Sequence, residues 1–266
     1  MDDQERLAER KSFDRIVDLI ESPVSGNYDT AHLREIHRRI FQDSPQHGPG
    51  EYRPAMPVDS PYYKSRMLES NGYRYNVAYA PSNDLDGALS KVLRELGGTN
   101  GLKGLDHDQF SSRMAKLYGD LDHIHPFGEG NSRTLRVFTA QLAQEAGYSL
   151  DWGTSKADAL SRDRLYVARD LAVMERVYPG LDMDRARSTP NKAEFDAYLG
   201  VVAKFSKSTS LETLIKESSR QISPQVALGA RETPYTQGKN LAHNQKAALV
   251  VHPKPVLTTK PPTRKM

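Results

Sequence analysis

Apolar residues recur every three or four positions in one segment after another of this 266-residue chain. Such spacing places the apolar side chains on one face of a helix. The predicted helices cover residues 1–22, 29–41, 85–96, 108–124, 131–146 and 156–177, with a weaker amphipathic stretch over residues 191–217. Only residues 72–81 (GYRYNVAYAP) show the aromatic alternation between turn formers that is typical of a strand or hairpin. We therefore expect a mainly α fold with one small β element.

Composition excludes several classes of protein. The chain has no cysteine, so disulfides, thiolate catalysis and cysteine zinc sites are excluded. Its 37 basic and 34 acidic residues nearly balance, which argues against binding nucleic acid by bulk charge. No apolar run approaches the roughly 18 residues of a membrane span, and the charged N-terminus lacks a signal-peptide core. We expect neither a membrane nor a nucleic-acid partner.

The chemistry is concentrated in residues 125–136 (HPFGEGNSRTLR), where a predicted loop enters a predicted helix. A helix N-terminus offers unpaired backbone N–H groups and the positive end of the helix dipole, so it favours phosphate. Gly130 and Asn131 are suited to turning backbone amides toward an anion. Arg133 and Arg136 lie three residues apart, so both guanidinium groups can face the same phosphates.

Two other side chains of this run complete a reaction centre. Glu129 is suited to hold Mg²⁺, because hard cations prefer carboxylate oxygens. The imidazole of His125 can accept a proton from an attacking hydroxyl near neutral pH. Pro126 and Phe127 would anchor and stiffen the loop. Together these residues predict in-line transfer of a phosphate-containing group to a hydroxyl.

The run matches the signature of the Fic family at every position except Ser132, where the family usually has a second glycine. The resemblance implies a protein adenylyltransferase, which moves AMP from ATP to a Ser, Thr or Tyr hydroxyl of a target protein with Mg²⁺. It assigns His125 as general base and Glu129 as the metal ligand. The residues expected to bind the nucleotide are Phe127, Gly128, Gly130, Asn131, Ser132, Arg133 and Arg136. A lysine at position 132, as in Doc-like kinases, would have favoured phosphate transfer instead.

The resemblance covers about residues 25–180, through YDTAHLREIHRRIFQD, GEYRP and AGYSLDW, and it implies a Fic-type helical bundle with a β-hairpin flap. Residues 73–79 fall where family members carry the flap that pairs with the target. The candidate target-binding residues are Tyr73, Arg74, Tyr75, Asn76 and Val77, although these tyrosines could equally pack a sheet face. The predicted divisions are an N-terminal helix (1–24), the Fic domain (25–180), a helical extension (181–217) and a disordered polar tail (218–266).

Several alternatives stay open at this level. The same cradle could take another nucleotide donor or remove AMP, and a poorly formed anion hole at Ser132 would leave a weakly active binding module. The first 30 residues do not match the family's inhibitory helix, and residues 213–217 give only half of its pattern. A separate small inhibitory protein, such as an antitoxin, or no restraint at all is the expectation. The protein is expected to act in the bacterial cytoplasm, or in a host cell after export by a dedicated secretion system.

Four titratable residues, two histidines and two aspartates, are not assigned a catalytic role. His37 and His123 are interpreted as structural residues, because a histidine at helical spacing usually packs against a core. Asp120 and Asp122 lie near a helix C-terminus, where a carboxylate is unfavourable to the helix dipole. Capping, pairing with arginine and metal binding are all open for these two carboxylates.

Overall fold

A computed structural model describes residues 3–57, 62–152 and 158–222 of the chain. The helices are α1 (Asp3–Glu21), α2 (Thr30–Phe41), α3 (Leu85–Leu96), α4 (His107–Ile124), α5 (Asn131–Glu145), α6 (Ala159–Val177), α7 (Met183–Ser188), α8 (Lys192–Ala197) and α9 (Leu211–Ser218). The strands are β1 (Tyr62–Met67), β2 (Arg74–Tyr79), β3 (Tyr148–Leu150) and β4 (Ser219–Gln221). The mainly α fold is confirmed, and α1 to α6 lie within a few residues of their predicted bounds.

Local signals in the sequence set the ends of these helices. Asp29 caps α2, accepting a hydrogen bond from the His32 N–H at 2.9 Å. Asp106 and Gln109 form a capping box at the start of α4. At the other end of a helix, Gly97 adopts the left-handed conformation that closes α3. These caps lie at the ends that the sequence predicted for α2, α3 and α4 to within a residue.

One large core joins the first and last described helices to the centre of the bundle. Ile16 and Leu19 of α1 are buried in it together with Leu214 and Ile215 of α9. The core also takes the inner faces of α2 to α6, including Phe138 at the centre of α5. Apolar burial of this kind is the main favourable term in folding. The helices on both sides of the predicted Fic domain thus pack in the same core as its central helices.

The hairpin is built from two strands, of which the sequence indicated only the second. β1 and β2 pair antiparallel, with Tyr62 opposite Tyr79 and Met67 opposite Arg74. The sequence pattern did not indicate β1, because the inward-facing positions of this strand include charged residues. They are charged because that face borders a polar cavity and not a core. The expectation that residues 72–81 contain the only good strand is therefore wrong.

Two buried aspartates of helix α6 hold the hairpin through hydrogen bonds and an ion pair. The buried Asp163 carboxylate accepts hydrogen bonds from the Glu69 and Ser70 N–H groups at 2.9 and 2.8 Å. The fully buried carboxylate of Asp170 forms a bidentate pair with Arg66 at 2.9 and 3.0 Å and accepts a hydrogen bond from the Tyr75 hydroxyl at 2.8 Å. Charge-assisted bonds to buried carboxylates are among the stronger polar contacts in proteins. The strand that faces the cavity is therefore held rigidly.

The C-terminal part of the described chain differs from expectation. The predicted helical stretch over residues 191–217 is divided into α8, a π-helical turn (Tyr198–Ala203) and α9, and α7 precedes it. Ser210 caps α9 and so separates it from the preceding turn. Ser218 ends α9, and β4 pairs with β3, so disorder does not begin at residue 218. Short polar strands such as β4 give no apolar alternation to detect. The rest of the predicted tail, residues 223–266, lies outside the described residues.

The described helices include none with both the length and the apolar character needed to cross a bilayer.

Candidate active site

A buried arginine fixes the loop that begins the motif. His125 ends α4 in the left-handed conformation, at φ +50°. The Arg53 guanidinium donates to the carbonyl oxygens of His125 and Ala80, each at 2.8 Å, and to that of Ile124 at 3.3 Å. The carbonyls of Ile124 and His125 lie at the C-terminal end of α4, where a helix leaves acceptors unpaired, and that of Ala80 follows β2. Arg53 belongs to the segment GEYRP, and sequence reasoning gave it no role because these partners lie 27 to 72 residues away.

The side chain of His37 supports the loop from below. Its ring stacks on Phe127 with centroids 3.8 Å apart and planes within 6°. Nδ1 accepts a hydrogen bond from the Gly50 N–H at 2.9 Å, so Nε2 carries the proton and donates to the Glu129 carbonyl at 3.1 Å. Burial lowers the pKa of His37 to about 4. The predicted structural interpretation of His37 agrees with these contacts.

This geometry predicts a loss of stability in mild acid. Protonation of Nδ1 would remove the acceptor for Gly50, so the folded state disfavours the proton that the unfolded chain accepts below its ordinary pKa of 6.5. Stability is therefore complete above pH 6.5 and falls as the pH drops toward 4, by up to about 3 kcal/mol from His37 alone. Urea unfolding across this range measures the slope.

The matched variant for that measurement is His37→Phe, which keeps a ring for stacking but cannot titrate. We expect it to be less stable at neutral pH, because Gly50 and Glu129 lose their partners, and to show a shallower fall in acid. An unchanged pH slope in this variant would contradict the assignment.

The backbone of the motif loop is held in shape by hydrogen bonds to the Asn131 side chain. Asn131 is buried, and its amide accepts from the Phe127 N–H at 2.9 Å and donates to the Phe127 carbonyl at 2.6 Å. Gly130 caps α5 at φ +79°, and a Cβ there would lie 2.2 Å from the Phe41 ring. The first residues of α5 therefore present their N–H groups from a fixed loop, as the sequence predicted for an anion cradle.

The loop opens into a polar cavity of about 360 Å³. Its lining comes from α1, β1, β2, the motif loop, α5 and α6. The cationic lining residues are Lys64, Arg66, Arg133, Arg136, Arg162 and Arg169, and the acidic ones are Glu9, Glu69 and Glu129. Of the predicted site residues, the cavity brings together His125, Glu129, Gly130, Asn131, Ser132, Arg133 and Arg136. Phe127 lies buried beneath the loop, and Gly128 is not part of the cavity wall.

The predicted flap residues lie elsewhere. Tyr73, Arg74, Tyr75, Asn76 and Val77 do not line the cavity, whereas Lys64, Ser65 and Arg66 of β1 and Tyr79 at the end of β2 do. Tyr75 and Val77 are buried in a second core beneath the hairpin. β2 packs against α6 and α8, and β1 supplies three of the four strand residues in the cavity wall. The residues predicted for the flap thus lie in the hairpin but not in the cavity wall, and their contact with a target stays a prediction.

Among the charged residues that line the cavity, Arg136 gives the strongest indication of an anionic ligand. Among the described residues, its guanidinium makes one long hydrogen bond, from Nε to the Ser132 carbonyl at 3.3 Å. No carboxylate within the described ranges forms a salt bridge with it, and burial lowers its pKa. Arg133, by contrast, contacts Glu129 at 3.2 Å and the Ser12 hydroxyl at 2.7 Å. A desolvated guanidinium without a counter-ion calls for an anionic ligand.

His125 is placed to accept a proton. Its side chain is 6% exposed, and its ring lies 3.8 Å from the Tyr79 ring. Neither Nδ1 nor Nε2 has a hydrogen-bond partner among the described residues. Burial lowers the pKa of His125 even though the Asp122 carboxylate opposes the shift, so the imidazole is neutral at physiological pH. A neutral imidazole with a free nitrogen beside a phosphate cradle has the properties of a general base.

The carboxylate behind His125 has an arginine partner. Asp122 Oδ1 lies 3.5 Å from His125 Nδ1, and Asp122 Oδ2 accepts from Arg169 Nε and Nη2 at 3.1 and 2.9 Å. Although burial disfavours its charge, the guanidinium and the imidazole hold the pKa of Asp122 below its usual range. Asp120 pairs with Arg176 and Lys116 at 2.7 and 2.6 Å. Arginine pairing is thus what the structure shows for both.

Glu129 is the carboxylate available to a cation. Its side chain is half exposed, with Lys64 Nζ 3.9 Å from Oε2 and Arg133 Nη2 3.2 Å from Oε1. Although burial opposes it, the field of Lys64 and the Gly130 N–H keep the pKa of Glu129 below its usual value. The described residues contain no cluster of three or more metal-binding side chains. One ionised carboxylate at a phosphate cradle suits Mg²⁺, which takes few protein ligands and uses substrate phosphates for others.

The half-matching inhibitory pattern at residues 213–217 lies away from the cavity. Glu217 pairs with Arg164 of α6 at 2.6 Å and not with Arg136. This pairing agrees with the structural interpretation of that segment.

Comparison with known proteins gives one consistent family. The Fic/DOC family model matches residues 27–143. The chain is 29% identical over 191 residues to the protein adenylyltransferase VbhT of Bartonella schoenbuchensis, covering 72% of this chain and 35% of that protein. It is 29% identical over 160 residues to a protein adenylyltransferase of Bartonella henselae, covering 60% of this chain and 28% of that one. The chain thus spans about a third of the length of these relatives.

Solved structures show the same fold. BepC, a VirB-translocated effector of Bartonella tribocorum with bound AMPPNP, superposes with a TM-score of 0.54 at 20% identity, covering 82% of this chain and 87% of that one. The Fic domain of a Bep effector of Bartonella quintana with bound ADP gives a TM-score of 0.54 at 21% identity, covering 84% and 87%. The motif loop, the cavity and the family match agree, and residues 27–143 of the chain form a Fic/DOC family domain.

Proposed function

We propose that this protein transfers AMP from ATP to a Ser, Thr or Tyr hydroxyl of a target protein. The observation that carries the proposal is the pair formed by Arg136, a half-buried guanidinium without a carboxylate partner among the described residues, and His125, a neutral imidazole with a free Nε2, in one cavity. The first needs an anion, and the second can deprotonate a hydroxyl. The relatives named protein adenylyltransferases, at 29% identity, support the same reaction.

The geometry suggests how each residue acts. The N–H groups at the start of α5, with Arg133 and Arg136, would hold the phosphates and offset charge that develops during the reaction. The target hydroxyl oxygen attacks the α-phosphorus, the new O–P bond forms, and the bond to the bridging oxygen of the β-phosphate breaks. Pyrophosphate leaves with that electron pair. His125 Nε2 takes the hydroxyl proton.

Glu129 is the residue proposed to hold Mg²⁺. When bound, Mg²⁺ would offset the negative charge of the phosphates and of the departing pyrophosphate. The carboxylate must be ionised for this role, and its lowered pKa meets that requirement. Lys64 and Arg133 flank it and would themselves be drawn to the phosphates.

We propose that the target segment lies along β1, on the cavity side of the hairpin. Lys64 and Ser65 line the cavity, and the Lys64 ammonium also donates to the Gly128 carbonyl at 2.8 Å. An extended segment can add to a strand edge by main-chain pairing without a specific sequence. The target belongs either to the bacterium's own cytoplasm or to a host cell that receives the protein.

Two labelled donors distinguish this reaction from its alternatives. The purified protein is incubated with Mg²⁺, a cell lysate and ATP labelled at either the α- or the γ-phosphate. AMP transfer labels a protein band from the α-label only, whereas phosphate transfer uses the γ-label. Parallel reactions with α-labelled UTP and GTP test other donors. Absence of protein label from every donor, together with no nucleotide binding by calorimetry, would favour a binding module instead.

A further inference from the structure

Ser132 is the one position where the motif departs from the family signature, and its hydroxyl is engaged. Arg169 Nη1 donates to Ser132 Oγ at 2.7 Å, and the same guanidinium binds Asp122. We propose that Ser132, Arg169 and Asp122 form a positioning chain that fixes the orientation and tautomer of His125. The inference rests on the transfer reaction proposed above for its kinetic consequence, although the tautomer itself can be observed without any reaction.

The first link is between Asp122 and His125. Arg169 takes Oδ2 of the carboxylate with two nitrogens, which leaves Oδ1 without a hydrogen-bond partner and facing His125 Nδ1 at 3.5 Å. A carboxylate at this position favours the tautomer with the proton on Nδ1. The lone pair then lies on Nε2, the nitrogen that would accept the hydroxyl proton. A buried aspartate orients the catalytic histidine of serine proteases in the same way.

The second link is the guanidinium of Arg169. Its side chain is 1% exposed, and its Nε, Nη1 and Nη2 atoms all donate to Asp122 or Ser132. A planar fork can satisfy both partners at once, whereas a lysine ammonium offers a single point charge. A buried donor without an acceptor is costly. The serine hydroxyl supplies the acceptor that a glycine at position 132 would lack.

The third link is the place of Ser132 in the fold. It lies in the first turn of α5, where the phosphate cradle is built, and it lines the cavity beside Arg136. One guanidinium therefore connects the phosphate-binding turn to the carboxylate behind the base. In this chain Ser132 therefore contributes to the site through its hydroxyl, and its presence in place of the family's glycine does not imply a weaker site.

Substitutions at position 132 provide the kinetic test. Ser132→Gly restores the family signature, yet we expect kcat for transfer to fall about tenfold or more, because Arg169 loses an acceptor and Asp122 is held less firmly. Ser132→Ala should behave alike, and the KM for ATP should change little. Ser111→Ala is the matched control, because it removes another buried serine hydroxyl, bonded to the His107 carbonyl in α4. Equal or faster transfer by Ser132→Gly would overturn the proposal.

Nitrogen NMR of the His125 imidazole provides a test that needs no activity. We expect the Nδ1–H tautomer in the unmodified protein and a shift toward Nε2–H in Asp122→Asn, with a smaller shift in Ser132→Ala and none in Ser111→Ala. An Nε2–H tautomer in the unmodified protein would overturn the proposal, as would an Asp122→Asn spectrum without change. If no donor supports transfer, the proposed function fails, but these spectra still decide whether the positioning chain exists.

Discussion

Replacement of His125 by alanine is expected to lower the rate of AMP transfer by about two to four powers of ten. The imidazole is neutral at physiological pH, and its nitrogens have no hydrogen-bond partner among the described residues, so it can take the proton of the attacking hydroxyl. ATP affinity should change by less than about tenfold, because the phosphates are held by Arg133, Arg136 and the start of α5. Single-turnover transfer and calorimetric titration with ATP measure the two quantities.

His123→Ala is the matched control for that variant. His123 lies two residues earlier on α4, and its side chain is outside the cavity wall. We expect this variant to transfer AMP at a rate close to that of the unmodified protein. Substantial transfer by His125→Ala, or an equal loss in His123→Ala, would show that the imidazole at position 125 is not the base.

Gly130→Ala should damage both the fold and the nucleotide site. Alanine would sit at φ +79°, and its Cβ would lie 2.2 Å from the Phe41 ring, so the loop or the ring must move. Left-handed strain and forced repacking together should cost about 2–5 kcal/mol of unfolding free energy. Displacement of the loop should also weaken ATP binding at least tenfold, because the N–H groups at the start of α5 move with it. Urea unfolding and calorimetry measure these losses.

Gly104→Ala is the control that separates the cost of left-handed backbone strain from the cost of the steric clash with Phe41. Gly104 has a similar φ of +73°, but a Cβ there meets no atom within 4 Å. We expect a cost of about 1–2 kcal/mol for the backbone strain alone and unchanged ATP affinity. Similar effects of the two substitutions would contradict the role given to the contact between Gly130 and Phe41.

The helices and the catalytic run could be predicted from sequence because their signals are local. Periodicity located α1 to α6, and the loop-to-helix setting of residues 125–136 indicated phosphate binding. β1 was missed because its inward face lines a polar cavity and so lacks apolar alternation. The short strands β3 and β4 give too little pattern to detect.

The supporting residues of the site escaped prediction for a different reason. Arg53 and Arg169 act on the motif from about 70 and 40 residues away, and arginine has many possible partners in any sequence. The sequence shows Ser132 only as a departure from the family signature, with a poorly formed anion hole as one open alternative. The structure gives the Ser132 hydroxyl a specific donor, Arg169. A sequence pattern can indicate which residues react, but the contacts that orient them depend on the fold.

The central claim is that the cavity around His125 and Arg136 transfers AMP to a protein hydroxyl. Mass spectrometry of a modified target, after incubation with ATP and Mg²⁺, tests it most directly because it reads the adduct, the acceptor residue and the target together. We predict one added AMP on a Ser, Thr or Tyr side chain, present with the unmodified enzyme and absent with His125→Ala. An added phosphate or UMP, or an AMP adduct that His125→Ala forms equally well, would contradict the account.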